Sequence, residues 1–272
     1  MEAGSAEGAY RTGRYTELLG RGIRAVCDLM KQGSFREAQS EMFFSGYQDE
    51  EFVIKAAGGS RMILEGKIDR IDVCEDGNER YVRVVDYKTG GKRLSLGPVY
   101  YGLSLQLVLY LAAAVLREEK THPGCTAVPA GMYYFSFAEK LADADAEDTE
   151  EMLYEKWIKE WLLKGVGVSD ERIAALSEPV SGQAAGREDI RRLIEHTKKK
   201  MTQTGSRIVS GEVQAAPAKE KNSTACAFCP YGAVCGFDRK NPVYSYRRIP
   251  EIKDQDVWEM LKEEEEDGGQ MD

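Results

Sequence analysis

Apolar positions along the chain follow two periods. Near the start, Leu18, Leu19, Ile23, Val26, Leu29 and Met30 recur at helical spacing, and Gly33 stands where such a helix would stop. The period then shortens. Strands are expected at residues 40–44 and 52–56, and the runs 61–74 and 80–88 are rich in Ile, Val and Tyr. Glu75-Asp76-Gly77-Asn78 joins those two runs, and Asp-Gly between strand-like segments is a hairpin signal. Thr89-Gly90-Gly91 breaks the pattern, and Gly97-Pro98 then opens a long apolar helix to about residue 119. Residues 132–137 read as an aromatic strand, 139–148 as an acidic loop, and 150–163 and 187–201 as amphipathic helices. Helix, strands, helix, strand in that order predicts an α/β (α+β) fold with a mixed central β-sheet flanked by helices.

Composition narrows the class. At 272 residues, 42% hydrophobic and 31% charged, the chain has ample material for a core. The longest apolar run, 103–116, is interrupted by Gln106 and falls short of the roughly 20 residues that cross a bilayer. Met-Glu-Ala-Gly-Ser at the start has neither the basic nor the apolar part of a secretory signal. A membrane protein, a secreted disulfide scaffold and a disordered chain are therefore excluded, and a cytoplasmic location is expected. The net charge of −9 is concentrated: residues 251–272 carry ten acids and two lysines, leaving the rest close to neutral. The run from Glu263 to Asp267 reads as a solvated acidic tail. Residues 187–207 hold seven basic groups against three acids.

The chemistry is concentrated in the hairpin. Gly66-Lys67-Ile68-Asp69-Arg70-Ile71-Asp72 leads into it, and Val84-Val85-Asp86-Tyr87-Lys88-Thr89-Gly90 leads out. With Asp76-Gly77 as a two-residue turn, Asp69 pairs with Val84 and Asp86 with Lys67. Alternation then puts Asp69, Asp86 and Lys88 on one face, the two acids as diagonal neighbours. Two converging carboxylates repel unless a cation sits between them. Mg²⁺, or Mn²⁺, fits, because it takes oxygen ligands and accepts phosphate oxygens as further ones. The carbonyl of Tyr87 is an available extra ligand. Such a site suits phosphodiester hydrolysis, with Lys88 orienting the attacking water. A solvent-facing hairpin with merely hydrated charges is the bland alternative. Apolar flanks such as Ile68, Ile71, Val82 and Val84 weigh against it, since unpaired buried carboxylates are costly.

This set resembles the RecB-like branch of the PD-(D/E)XK nucleases, through G-x-x-D-R-x-D, then D-Y-K, then a helix with Gln-Leu-Val-Leu-Tyr. The resemblance implies a restriction-endonuclease-like core, with Asp69, Asp86 and Lys88 catalytic. It also implies that Gln106 and Tyr110, one helical turn apart, border the active site, and that Glu41 matches an acidic metal-binding position. What it implies for function is a Mg²⁺-dependent DNA exonuclease leaving 5′-phosphates, within a helicase–nuclease assembly of double-strand-break repair. Two alternatives stay open: a stand-alone RecB-like exonuclease, and a catalytically idle DNA-binding or docking scaffold. Phosphate contacts from Arg187, Arg191, Arg192, Lys198, Lys199 and Lys200 stand beside the alternative of a solvated helix face. Tyr133, Tyr134 and Phe135 are either base-stacking groups or core.

Cysteine usage adds a second feature. Cys27, Cys74 and Cys125 are isolated, whereas Cys226, Cys229 and Cys235 form a C-x₂-C-x₅-C array. Close thiolates suit a metal or iron–sulfur centre. The array is similar to the one at the end of AddB-type helicase–nuclease subunits, which implies a 4Fe–4S cluster with a structural role and an AddA-type partner subunit. Two departures follow. The only early cysteine is Cys27, beside Val26 on an amphipathic helix and so expected in the core. The only histidines, His122 and His196, both follow the hairpin, so a metal-binding His on the preceding helix is absent. The chain then reads as the C-terminal part of a longer protein, with the cluster incomplete. Its expected organisation is a nuclease domain at 1–240 (core 40–137, helical region 138–222, cysteine-rich loop 223–240) and an acidic tail at 241–272.

Overall fold

The computed structural model describes residues 6–137, 143–221 and 223–268, so part of the expected acidic loop at 139–148 lies outside them. In chain order the elements begin with α1 (Ala6–Met30), β1 (Arg36–Ser45), β2 (Val53–Lys55) and β3 (Arg61–Ile63). The hairpin β4 (Glu65–Asp76) and β5 (Glu79–Lys88) precedes α2 (Leu96–Tyr100), α3 (Gln106–Thr121) and β6 (Thr126–Ser136). Then follow α4 (Glu150–Lys159), β7 (Leu163–Val168), α5 (Glu171–Leu176), β8 (Val180–Ala185) and α6 (Arg187–Val209). The last part comprises β9 (Ala218–Glu220), β10 (Ser223–Thr224), α7 (Gly232–Cys235), β11 (Arg247–Arg248) and α8 (Asp254–Gly268). A mixed α/β fold with a central mixed sheet and flanking helices is the result.

Six strands form that sheet in the order β1-β4-β5-β6-β7-β8. β4/β5 and β6/β7 are antiparallel, while β5/β6 and β7/β8 are parallel. A parallel pair needs a crossover, and α2 with α3 supplies the first while α5 supplies the second. β5 lies at the centre, and its residues 81–86 are buried in an unbroken run, as expected for a strand covered on both faces.

The chain divides into two compact units. The first (1–44, 66–94 and 107–191) contains nearly all of the six-stranded sheet. One hydrophobic cluster of its core sets Ala25 and Leu29 of α1 against Val85, Tyr133, Phe135, Trp161 and Leu163. Tyr133, Tyr134 and Phe135 are all buried, so as a group these strand aromatics are core rather than a stacking surface for bases.

The second unit (45–65, 95–106 and 192–272) holds the β2–β3 ribbon, the β10-β9-β11 sheet and α8. Here the expected solvated tail is corrected. Val257, Trp258 and Leu261 of α8 are buried, so the segment has an apolar face that the acids conceal in a composition count. Asp254 Oδ1 at its start accepts from Leu96 N (2.8 Å) and Ser95 Oγ (3.3 Å). Within the acidic run, Glu264 accepts from Tyr100 Oη (2.8 Å) and meets His196 Nδ1 at 2.9 Å. The His196 ring stacks on Tyr100, centroids 4.7 Å apart. Burial opposes ionisation of Glu264, but the bonds from Tyr100 and His196 outweigh it and hold the carboxyl below its ordinary range.

Three other expectations change. The long helix from Gly97-Pro98 is two helices, because Gly102 (φ 83°) and Ser104 (φ 53°) take left-handed backbone between α2 and α3. The region 138–222 is not wholly helical, since it contains β7 and β8. Cys27 is exposed rather than core. Among the described residues no helix is long and apolar enough to cross a membrane.

Candidate active site

β4 and β5 pair with Asp76 opposite Glu79, so the loop is Gly77-Asn78 rather than Asp76-Gly77. Gly77 has φ 62° and Asn78 does not share the positive sign, which suits a tight turn with glycine at its first central position. Every pairing shifts by two residues relative to the expected register. The ladder runs from Asp76 opposite Glu79 to Arg70 opposite Val85 and ends there, one residue short of Asp69 and Asp86. A shift of two preserves the face, so the acids stay on one side of the ribbon, just beyond its paired part.

Asp86 is 2% exposed, Asp69 is half-buried, and both belong to the first unit. Asp69 Oδ2 accepts from Tyr87 N at 2.9 Å, which ties it to the backbone between Asp86 and Lys88. Lys88 Nζ makes a close ion pair with Asp86 Oδ2. Burial works against its charge, yet the Asp86 hydrogen bond and charge outweigh that and raise its pKa. Asp69 adds a smaller effect in the same direction, so both acids act on that one lysine.

Glu41 lies apart from that pair. It is exposed, has φ 54°, and forms a close ion pair with Lys67, whose pKa it raises, with a smaller effect from Asp69. Among the described residues no group of three or more His, Cys, Asp or Glu gathers as metal ligands. Gln106 is the first residue of α3 and Tyr110 lies one turn on. The Tyr110 ring meets Phe44 edge-on, centroids 6.1 Å apart. A Cβ on Gly66 would stand 2.5 Å from the Phe44 ring and 3.3 Å from Tyr110, so the first residue of the motif is glycine because those rings close on it.

Arg70 and Asp72, inside the same motif, face the other way. Asp72 is opposite Arg83, and its carboxylate accepts from Arg70 Nε (2.6 Å), Arg83 Nε (2.9 Å) and Arg83 Nη2 (2.8 Å). Arg83 Nη2 also reaches Glu178 Oε1 at 2.5 Å, and its guanidinium lies 4.3 Å from the Phe35 ring centre. All four charged groups are buried. Arg83 and Glu178 were invisible to motif reading, and alternation along β4 was the only signal for the turning-away of Arg70 and Asp72.

Of the basic residues of α6, five hold carboxylates among the described residues: Arg187 on Glu79 and Asp170, Arg191 on Glu188, Arg192 on Glu265, Lys198 on Glu195 and Arg207 on Glu212. Lys200 Nζ lies 5.4 Å from the Tyr100 ring centre. Cys226, Cys229 and Cys235 are exposed free thiols in the second unit, the first within a 3₁₀ turn (Ala225–Phe228), the second just after it and the third at the end of α7. His122 pairs with Glu118 at 3.1 Å.

The chain is similar to known proteins over nearly its whole length. An ATP-dependent helicase/deoxyribonuclease subunit of Thermoanaerobacter sp. (strain X514) is 30% identical over 285 residues, covering 97% of this chain and 25% of that protein. The protein of the same name from Alkaliphilus metalliredigens (strain QYMF) is 32% identical over 278 residues, covering 94% and 24%. The chain thus spans about a quarter of the length of the curated relatives it matches. A family profile of the PD-(D/E)XK nuclease superfamily matches residues 2–236. That span takes in the whole sheet and most of the chain, and on it this chain belongs to the PD-(D/E)XK nuclease superfamily.

Proposed function

We propose that this chain is a Mg²⁺- or Mn²⁺-dependent deoxyribonuclease domain, the nuclease part of a helicase–nuclease subunit that trims DNA ends with an AddA-type partner. The observation that carries the reading is that Asp86 and Asp69 both act on Lys88, with Lys88 ion-paired to Asp86 and Asp69 bonded to the intervening Tyr87 N–H. The donor set fits a hard divalent cation: two carboxylates on one face beside the same lysine, with the Tyr87 carbonyl within the same stretch. A bound ion would polarise the phosphodiester and neutralise charge developing on it. Asp69 and Asp86 hold the ion, the Tyr87 N–H fixes Asp69, and Lys88 directs the attacking water and stabilises the transition-state charge. Exonuclease action on single strands or duplex ends is part of the proposal. Gln106 and Tyr110 take the bordering role of the family, and Glu41, held by Lys67, an outer role.

For the cysteine array the donors fit an iron–sulfur centre in kind but are one short of four, and they are not gathered among the described residues. We propose a structural 4Fe–4S cluster on Cys226, Cys229 and Cys235. The chain as given is expected to hold that cluster incompletely or not at all. A stoichiometric visible iron–sulfur absorbance after anaerobic purification would contradict this.

The nuclease reading is tested by metal titration of cleavage on single-stranded and duplex-end DNA. Mg²⁺- or Mn²⁺-dependent degradation that disappears in Asp86→Ala is expected. Equal cleavage by Asp86→Ala and the parent chain would remove the site from the mechanism.

A further inference from the structure

The turn that leaves the site strand brings a second cation back to it. β5 ends at Lys88, and the chain reverses through Thr89-Gly90-Gly91. The Gly90 carbonyl accepts from Lys92 N at 2.9 Å and from Ser136 Oγ at 3.0 Å. Ser136 is the last residue of β6, so the turn is fastened to the neighbouring strand. Lys92 Nζ consequently stands over the Tyr134 ring, 5.1 Å from its centre, and Lys88 Nζ stands over the same ring at 5.6 Å.

Tyr134 sits on β6 in register with Asp86. It is buried, and its hydroxyl has no hydrogen-bond partner among the described residues. The ring therefore serves the site through its π face, the part that attracts ammonium groups. The two lysines differ in what remains to them. Lys88 is committed to Asp86. Lys92 is exposed and has no ion pair among the described residues, so its donors remain for a ligand. An ammonium over the same ring as Lys88 suits a phosphate, which a lysine binds as a point charge.

We infer that Lys92 binds a backbone phosphate of the DNA strand entering the site, and that Tyr134 is the platform that positions Lys92 beside Lys88. This inference rests on the nuclease reading for the identity of the ligand, but its test does not require cleavage.

The probe is a labelled single-stranded oligonucleotide, with binding followed by fluorescence anisotropy in Ca²⁺ from about 50 to 200 mM KCl. Lys92→Met should weaken binding about fivefold at the low-salt end and reduce the slope of log Kd against log salt by about 0.7. Lys92→Arg should recover both. Tyr134→Leu should weaken binding similarly, and Tyr134→Phe, which keeps the ring face, should recover it relative to Tyr134→Leu. Thermal unfolding is measured alongside; if Tyr134→Leu does not fold, the Lys92 pair decides. Parental affinity and slope in Lys92→Met, equal weakness in Lys92→Arg, or no binding by the parent chain would overturn the inference. A parent chain that binds through Lys92 yet never cuts in Mg²⁺ overturns the nuclease reading alone. One that cuts while Lys92→Met binds unchanged overturns the present inference alone.

Discussion

The two faces of one β-ribbon use the same kinds of residue to opposite ends. On one, Arg70, Asp72, Arg83 and Glu178 are all buried, with two guanidiniums set against two carboxylates at hydrogen-bonding distances. That set closes its own charge away from water. On the other, Asp86 is buried against a partly exposed Lys88, and Asp69 is half-buried and held by the Tyr87 N–H. Burial of the acid alone does not distinguish the faces, since Asp86 is as buried as Asp72. The access of its lysine to water does.

Breaking the closed face should have the largest effect. Asp72→Ala strands two buried guanidiniums with one carboxylate, and a loss of about 3–5 kcal/mol is expected in urea unfolding. Asp86→Ala should lose less than half as much, because Lys88 is 27% exposed and can regain water. Equal losses would abolish the contrast. The next effect is kinetic: Lys88→Met should slow single-turnover cleavage about 10²–10³-fold while leaving the urea midpoint nearly unchanged. A parallel fall in stability would place Lys88 with the structural charges instead.

The smallest effect sits at the turn end of the same ribbon. Arg187 pairs with Glu79, the first residue of β5, and with Asp170. Its hydrogen bond lowers the Glu79 pKa; at Asp170 burial pushes upward, but that bond together with those from the Arg172 and Ile173 N–H groups outweighs it and lowers that one too. Depressed carboxyl pKa values mean that the unfolded chain takes up protons first. The stabilisation is complete above about pH 4.5 and drains as pH falls through the folded values. Arg187→Ala should therefore cost about 0.5 kcal/mol near neutrality, after allowance for partial exposure, and flatten the acid limb of stability against pH. An unchanged acid limb would show that this pair contributes nothing.

Face parity was legible before any coordinates, because side chains alternate strictly and a turn between two strand-like runs ties the two parities together. The register was not, since Asp76-Gly77 and Gly77-Asn78 are both acceptable two-residue loops on paper. Backbone geometry at Gly77 decides between them. The letters of G-x-x-D-R-x-D could be matched as a string, yet the string spans both faces, and only the pleat separates Asp69 from Arg70 and Asp72. β7 and β8 escaped notice because Leu-Lys-Gly-Val-Gly-Val and Val-Ser-Gly-Gln-Ala-Ala are glycine- and alanine-rich, with little β-branched alternation. Cys27 was read from its neighbour Val26, whereas one step round a helix moves a residue by about 100°, here from the half-buried side to the exposed one. The apolar face of α8 was masked by the acids around Val257, Trp258 and Leu261.

The chain passes between its two compact units five times, each unit being assembled from three separate stretches. During synthesis the ribbon at 66–94 is therefore made long before residues 45–65 and 95–106 can meet the late stretch from 192 onward that completes their unit. Such long-range closure slows folding and leaves early stretches waiting without partners. Neither unit can be freed by one cut, so a single nick by a protease should leave fragments that stay associated, and shortening the chain from its far end should unravel residues made near its beginning.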